Sequence, residues 1–82
     1  MAPFTNAEQI ALEYKGWNAT GPLCWRVLNT PAGRCTVTLK YTGDYHSYVG
    51  TTAHRWGTAA DRADLFRTGM EIVDEISAME AR

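Results

Sequence analysis

A strict alternation of side-chain type between positions 35 and 42 constrains this chain more than any other feature. Apolar and polar residues alternate there with a period of two, namely Cys35, Val37, Leu39 and Tyr41 against Thr36, Thr38, Lys40 and Thr42. A period of two places the apolar side chains on one face of a strand and the polar side chains on the other. The pattern is typical of an antiparallel sheet with one face on a core and one face in solvent.

Two further strands are predicted beside this one. We expect them over Leu23–Leu28 and from Tyr45 to about Thr51, with turns centred on Pro31 and at Gly43. The segment from Thr51 to Gly57 is interpreted as a loop. It carries three residues with large polar or aromatic side chains, His54, Arg55 and Trp56.

The register of the first two strands follows from the length of the turn between them. A five-residue turn centred on Pro31 pairs Val27 with Cys35, Trp25 with Val37 and Leu23 with Leu39. In this register Cys24 points away from Cys35. We therefore expect two reduced, structural cysteines without a disulfide, as is usual in the cytoplasm.

Helices are predicted at both ends of the chain. Thr5 and Glu8 can form a capping box, Gly16 is a natural helix stop, and the apolar stripe between them consists of Ala7, Ile10, Ala11 and Tyr14. A longer helix is expected from Thr58 to about Met79, with Gly69 as a potential kink. The prediction is one α+β domain over residues 1–82: a short helix, a three-stranded antiparallel meander and a long helix packed on one sheet face, in the order αβββα.

The net charge of −1 hides an uneven distribution along the chain. Residues 15–55 hold five basic residues against one acidic residue, whereas residues 56–82 hold three basic against six acidic residues. No stretch approaches the 18 or so apolar residues of a membrane span, and no basic segment followed by an apolar run is present. We expect a cytoplasmic protein that does not contact membranes.

No group of residues carries a catalytic, metal-binding or cofactor-binding pattern. His46 and His54 have no cluster of Cys, Asp or Glu at metal-ligand spacing. Asp44, His46 and Ser47 are neighbours in sequence, but adjacent residues of a strand point to opposite faces and cannot form a relay. The sequence therefore predicts a protein that is not an enzyme and binds no cofactor.

Two surfaces are candidates for partner binding. The solvent face of the sheet and the loop after it combine aromatic, histidine and basic side chains: Arg26, Lys40, His46, Tyr48, His54, Arg55 and Trp56. A half-solvated sheet needs polar residues in any case, but Tyr, Trp and Arg together have the composition of an interface hot spot. The same residues could instead stack on bases and neutralise phosphates. The second surface is the acidic outer side of the last helix, with Glu71, Asp74 and Glu75.

The predicted order of elements resembles two known nucleic-acid-binding families. The layout of helix, three strands and helix is similar to the double-stranded-RNA-binding domain. That family has a lysine-rich start to its last helix, where residues 58–63 here hold one base and one acid. Residues 23–70, through Tyr48-Val49-Gly50-Thr51 and the alanine-rich start of the helix, also resemble the AP2 and integrase-arm domains. The arginine-rich strands of that family are missing, and residues 52–57 are an insertion, so neither activity carries over.

These observations lead to a ranked set of functional hypotheses. The first is a small non-catalytic module or inhibitor that binds another protein or a nucleoprotein complex. Free-standing domains of this size are often adaptors, antitoxins or phage-encoded modulators such as anti-CRISPR proteins. The alternative is a nucleic-acid-binding domain that uses the sheet face. Mimicry of nucleic acid by the acidic helix, and a homodimer formed through the broad apolar surface of that helix, complete the set.

Overall fold

The computed structural model describes residues 1–80 as two helices and one antiparallel sheet. The sheet has five strands in the order β1-β2-β3-β4-β5, so that each strand lies beside its neighbour in sequence. The elements are α1 (Asn6–Tyr14), β1 (Asn18–Ala19), β2 (Leu23–Thr30), β3 (Gly33–Lys40), β4 (Asp44–Val49), β5 (Thr52–Thr58) and α2 (Arg62–Glu80). The α+β class and the two terminal helices are confirmed. Neither helix of the described residues has the length and apolar character needed to span a membrane.

The prediction of three strands is wrong, because two edge strands were not recognised. β1 is only two residues long, and β5 occupies the segment that was interpreted as a loop. Val49 pairs with Thr52, so β4 and β5 are joined by a hairpin loop of only two residues, Gly50 and Thr51. Gly50 has a φ of 61°, and between residues 1 and 80 only glycines have a positive φ. A turn with glycine at its first central position and a residue of negative φ at its second is a type II′ turn. The backbone twist of this turn type matches that of the paired strands.

The register between β2 and β3 also differs from the prediction, by one residue. Thr30 pairs with Gly33, so the loop holds only Pro31 and Ala32. The Thr30 hydroxyl supports this loop, since it accepts from the Ala32 amide at 3.2 Å and donates to the Gly33 carbonyl at 3.0 Å. A shift of one residue moves every side chain of a strand to the opposite face. The observed pairs on the core side are Cys24 with Leu39, Arg26 with Val37 and Leu28 with Cys35.

Both helices lie on the face of the sheet that carries the apolar residues of β3. Cys35, Val37 and Leu39 are fully buried, and α2 covers them with the equally buried Leu65, Ile72 and Ile76. The helix continues without interruption through Gly69, where a Cβ atom would come within 2.8 Å of the Leu39 Cδ1 atom. Gly69 therefore allows close approach of α2 to the sheet.

The first turn of α2 begins four residues later than predicted. Asp61 is the N-cap, because its Oδ1 atom accepts from the Asp64 amide at 2.8 Å. Thr58, the predicted start, is the last residue of β5 and pairs with Asp44. Residues 58–61 have the sequence pattern of a helix cap. Thr58 is not helical, however, because its backbone pairs with Asp44 in the edge strand.

The predicted ends of α1 are confirmed, but its predicted packing stripe is wrong. The Thr5 and Glu8 side chains form the capping box, and Gly16 adopts a φ of 93° at the C-terminus. There the Trp17 amide donates to the Leu12 carbonyl at 3.0 Å, in the Schellman pattern that brings these two side chains together. Leu12 and Trp17 are consequently the buried residues. Ile10 is 56% exposed and Tyr14 is 89% exposed.

The two cysteines are free and fully buried on the same face of the sheet. The prediction that they point to opposite faces is wrong, although the absence of a disulfide is confirmed. Cys24 pairs with Leu39 and Cys35 with Leu28, which places the cysteines four residue positions apart along the strands. This spacing is about 13 Å, well beyond the reach of a disulfide. Burial raises the pKa of the Cys24 thiol to about 11.

We predict that neither thiol reacts with a thiol-specific reagent in the native protein at pH 8. The thiolate is the reactive species, and burial disfavours it at Cys24. Burial also blocks access of the reagent to both thiols. Labelling with a chromogenic disulfide reagent should be at least about 100-fold slower than in concentrated urea, because only globally unfolded molecules expose the thiols. Fast labelling of one thiol in native buffer would contradict the described core.

Candidate functional site

The face of the sheet opposite the helices is not covered by any element of residues 1–80. We call it the open face, defined by the side chains that alternate with the buried positions of β2 to β5: Leu23, Trp25, Val27, Arg34, Thr36, Thr38, Lys40, Asp44, His46, Tyr48 and Trp56. Along β3 the contrast is sharp, because Val37 and Leu39 are buried whereas Lys40 is exposed. The half-solvated sheet expected from the sequence is therefore present.

Aromatic side chains from three strands lie on the open face. One row across the sheet consists of Trp25, Thr38, His46 and Trp56. Trp56 is 69% exposed and Tyr48 is 41% exposed. The His46 and Tyr48 rings are in edge contact, with centroids 5.7 Å apart. Since opposed side chains on paired strands lie about 5 Å apart and diagonal ones about 7–8 Å, the rings of His46, Tyr48 and Trp56 form one patch. Trp25 lies in the same row but is separated from this patch by Thr38.

A β-bulge determines which residues of β5 belong to this patch. Tyr48 pairs with Ala53 and Ser47 pairs with Arg55, so His54 is an additional residue without a partner on β4. The buried Ser47 hydroxyl accepts from the Arg55 amide at 3.0 Å and donates to the Arg55 carbonyl at 3.3 Å. These bonds replace the ladder bonds that the bulge disrupts. As a result two consecutive residues, His54 and Arg55, point towards α2, and Trp56 returns to the open face.

The acidic side of α2 receives the two side chains that the bulge redirects. Glu75 accepts from Arg55 Nη1 at 3.0 Å and lies 3.1 Å from His54 Nε2. Glu71 lies 3.7 Å from the same guanidinium. Two of the three residues predicted to form an acidic contact surface therefore share one guanidinium within the chain. The third, Asp74, is exposed and takes part in none of the ion pairs of residues 1–80.

Arg26 is also absent from the open face, contrary to its predicted place there. It pairs with Val37 and therefore points to the helix-covered side, where its guanidinium lies against Gly16 at the end of α1. Of the seven residues predicted to bind a partner, the structure brings together Lys40, His46, Tyr48 and Trp56. The other three lie on the helix-covered side of the sheet, namely Arg26, His54 and Arg55.

Three apolar residues of the open face, Leu23, Trp25 and Val27, were paired with core residues of β3 in the register predicted from the sequence. In the structure they pair instead with Lys40, Thr38 and Thr36, which are exposed or partly exposed. The signal that could have identified them is the turn itself. Proline at the first central position of a β-turn and glycine at its last position form the pattern of a two-residue loop between Thr30 and Gly33. That loop length shifts β2 by one residue.

The charges of the open face are few and lie at its ends. Arg34 and Lys40 are exposed basic residues of β3. Asp44 accepts hydrogen bonds from the Thr58 hydroxyl at 2.8 Å and from the Thr42 hydroxyl at 3.0 Å. These bonds lower the pKa of the Asp44 carboxyl, because they favour its charged form. The centre of the face, which includes His46, is therefore aromatic and holds no Lys, Arg, Asp or Glu.

Asp44, His46 and Ser47, which are neighbours in sequence, do not come together in the structure. Asp44 and His46 lie on the open face, whereas Ser47 points to the other side and its hydroxyl is used by the Arg55 backbone. No three His, Cys, Asp or Glu residues within positions 1–80 lie close enough to hold a metal ion.

Comparison with known proteins identified no relative. No protein-family model, no curated protein and no solved structure matches this chain.

The bulge gives a direct prediction for Ser47. Ser47→Ala removes the hydroxyl that serves both the amide and the carbonyl of Arg55, and the free energy of unfolding should fall by about 1–3 kcal/mol. Urea denaturation measures the change. Ser77→Ala, at an exposed serine of α2, is the matched control and should alter stability by no more than about 0.5 kcal/mol. Equal effects of the two substitutions would show that the Ser47 hydroxyl does not support the bulge.

Proposed function

We propose that this chain is a small protein-binding module that recognises its partner through the open face of the sheet. The observation that carries the proposal is Trp56, which is 69% exposed and lies opposite His46 on the paired strand, on the same face as Tyr48 and Trp25. Tryptophan and tyrosine are the residue types most enriched at the centres of protein interfaces. Exposed aromatic residues grouped on one face indicate an interaction surface.

The size of the Trp56 side chain makes it a credible anchor. A tryptophan buries up to about 150–250 Å² in a tight contact, so the fraction still exposed here corresponds to roughly 100 Å² or more. At about 25 cal/mol per Å², covering that area contributes on the order of 2–3 kcal/mol. The side chain projects from a paired strand, which lowers the entropic cost of ordering it on binding.

Charge placement favours a protein partner over nucleic acid. Only Arg34 and Lys40 are basic residues of the open face, because Arg26 points to α1 and Arg55 is engaged by Glu75 and Glu71. Two phosphate contacts contribute little affinity at physiological salt compared with the six to ten of typical DNA-binding proteins. Base stacking on Trp25 and Trp56 is what supports the nucleic-acid alternative, which ranks second.

The acidic helix is a weaker candidate for the contact surface. Glu71 and Glu75 already interact with Arg55, and Glu75 also contacts His54, so a partner would have to compete with these groups. The biological role that we expect is modulation or inhibition of a larger host complex in the cytoplasm, of the kind performed by phage-encoded anti-CRISPR proteins. Small size and the surface described above support this role, and the partner itself is to be identified by capture.

Trp56→Ala tests the proposal directly. The partner is first captured with the intact chain, and its affinity for each variant is then measured by calorimetry. The substitution should weaken binding by about 30-fold or more, as expected for loss of a hot-spot residue. The free energy of unfolding should change by no more than about 0.5 kcal/mol, because the side chain is mostly exposed.

Arg67→Ala is the control, since Arg67 is a large exposed residue of α2, away from the open face. It should leave affinity unchanged. A partner that is lost with Arg67→Ala and retained with Trp56→Ala would show that the contact is elsewhere. If the chain instead binds single- or double-stranded nucleic acid with micromolar affinity at low salt, and Trp56→Ala abolishes this, the second-ranked function replaces the first.

A further inference from the structure

A groove between α1 and α2 has no role in the contact proposed for the open face. It lies on the opposite side of the sheet and has a volume of about 120 Å³. Its apolar lining comes from both helices and from the core beneath them: Ala11, Leu12, Trp17, Leu39, Phe66 and Met70. The groove exists because α1 inserts only Leu12 fully into the core, while the neighbouring Ala11 is too small to fill the space.

An exposed apolar stripe of α1 continues from the groove. Ala7, Ile10 and Tyr14 follow Ala11 around the helix, and they are the residues whose spacing predicts a packed helical face. In the structure all four are exposed, Ile10 to 56% and Tyr14 to 89%. The amphipathic pattern of α1 therefore has no partner among the described residues.

Charged residues at the groove differ in whether they are available. The Glu8 carboxylate accepts from Arg62 Nη1 at 2.7 Å and from the Thr5 amide at 2.9 Å. Lys15, which also lines the groove, is exposed and belongs to none of the ion pairs of residues 1–80. An occupant that combines an apolar group with a neighbouring negative charge would complement this surface.

The size of the groove decides what kind of occupant fits. Pockets that enclose a complete small ligand measure about 300–1,000 Å³, whereas about 150 Å³ accommodates a single benzene ring. A space of about 120 Å³ therefore suits one side chain of a larger molecule whose other contacts lie outside the groove.

We propose that the groove and the exposed stripe of α1 dock an acidic segment of a partner protein, which inserts one phenylalanine-sized side chain between the helices and presents a carboxylate to Lys15. An apolar part of the segment lies along Ile10 and Tyr14 and buries the apolar stripe that the chain leaves exposed, because Glu13 borders this part of the surface and leaves Lys15 as the position for the carboxylate. This contact is independent of the open face, so either can fail without the other.

The experiment uses the full chain and the peptide acetyl-Glu-Phe-Glu-amide, followed by the indole N–H signal of Trp17 in ¹H–¹⁵N spectra. Trp17 lines the groove, and Trp25 and Trp56 on the open face provide internal references. The Trp17 signal should shift saturably, with a dissociation constant of about 0.1–1 mM, as expected for a single anchored side chain. The peptides acetyl-Lys-Phe-Lys-amide and acetyl-Glu-Ala-Glu-amide should bind at least about fivefold more weakly.

Three variants locate the contact. Ala11→Leu fills the groove and should weaken binding about tenfold or more, and Lys15→Gln should reduce the preference for the acidic peptide about threefold. Ala78→Leu makes the same change at an exposed alanine of α2 and should have no effect. Trp56→Ala should leave peptide binding intact, which separates this contact from the one on the open face.

The proposal is overturned if the Trp17 signal does not respond to the acidic peptide, or if Ala11→Leu and Ala78→Leu bind it equally. It is also overturned if free 3-phenylpropionate binds as tightly as the peptide, since the groove would then be a site for a small acid. A shift of the Trp17 signal with protein concentration alone would assign the groove to a second copy of the chain and likewise overturn it.

Discussion

The structure depends on burial of a single face of the sheet. Cys35, Val37 and Leu39 of β3 are completely removed from solvent beneath α2, whose Leu65, Ile72 and Ile76 are buried to the same degree. Each such aliphatic side chain contributes roughly 1.5–3 kcal/mol on burial, which is a large share of the stability available to so small a domain. Because both terminal helices are used on this side, the described chain has no element left to cover the other. The open face is therefore a direct consequence of how the core is built.

What lies on the open face is decided by two local details of the backbone. The two-residue loop at Pro31 and Ala32 turns Trp25 outwards and Arg26 inwards. The bulge opposite Ser47 turns both His54 and Arg55 towards the acidic side of α2 and returns Trp56 to the open face. Together they collect aromatic side chains on one surface and withdraw two arginines from it. This separation supports the proposal of a protein partner rather than a phosphate backbone.

Sequence patterns predicted the features that depend on a single element. The alternation from Cys35 to Tyr41, the cap at Thr5 and the stop at Gly16 are local, and all three are confirmed. The strand registers were not predictable in the same way. A turn that is one residue longer or shorter, as at Pro31 or Gly50, exchanges the buried and exposed faces of the neighbouring strand. The orientation of α1 was not predictable from its own periodicity. Leu12 is buried together with Trp17, which follows the helix, and the apolar stripe that contains Ile10 is therefore exposed. Four of the seven residues proposed for the partner-binding surface consequently share the open face.

The most direct test of the account is solvent access to the three tryptophan side chains of the isolated protein. A neutral nitroxide added to the solution broadens the indole N–H signals of exposed rings in ¹H–¹⁵N spectra. Trp56, at 69% exposure, should broaden strongly, whereas Trp17, at 4% exposure, should be unaffected. Protection of Trp56 at low protein concentration would contradict the account, because the open face would then already be covered and unavailable for recognition.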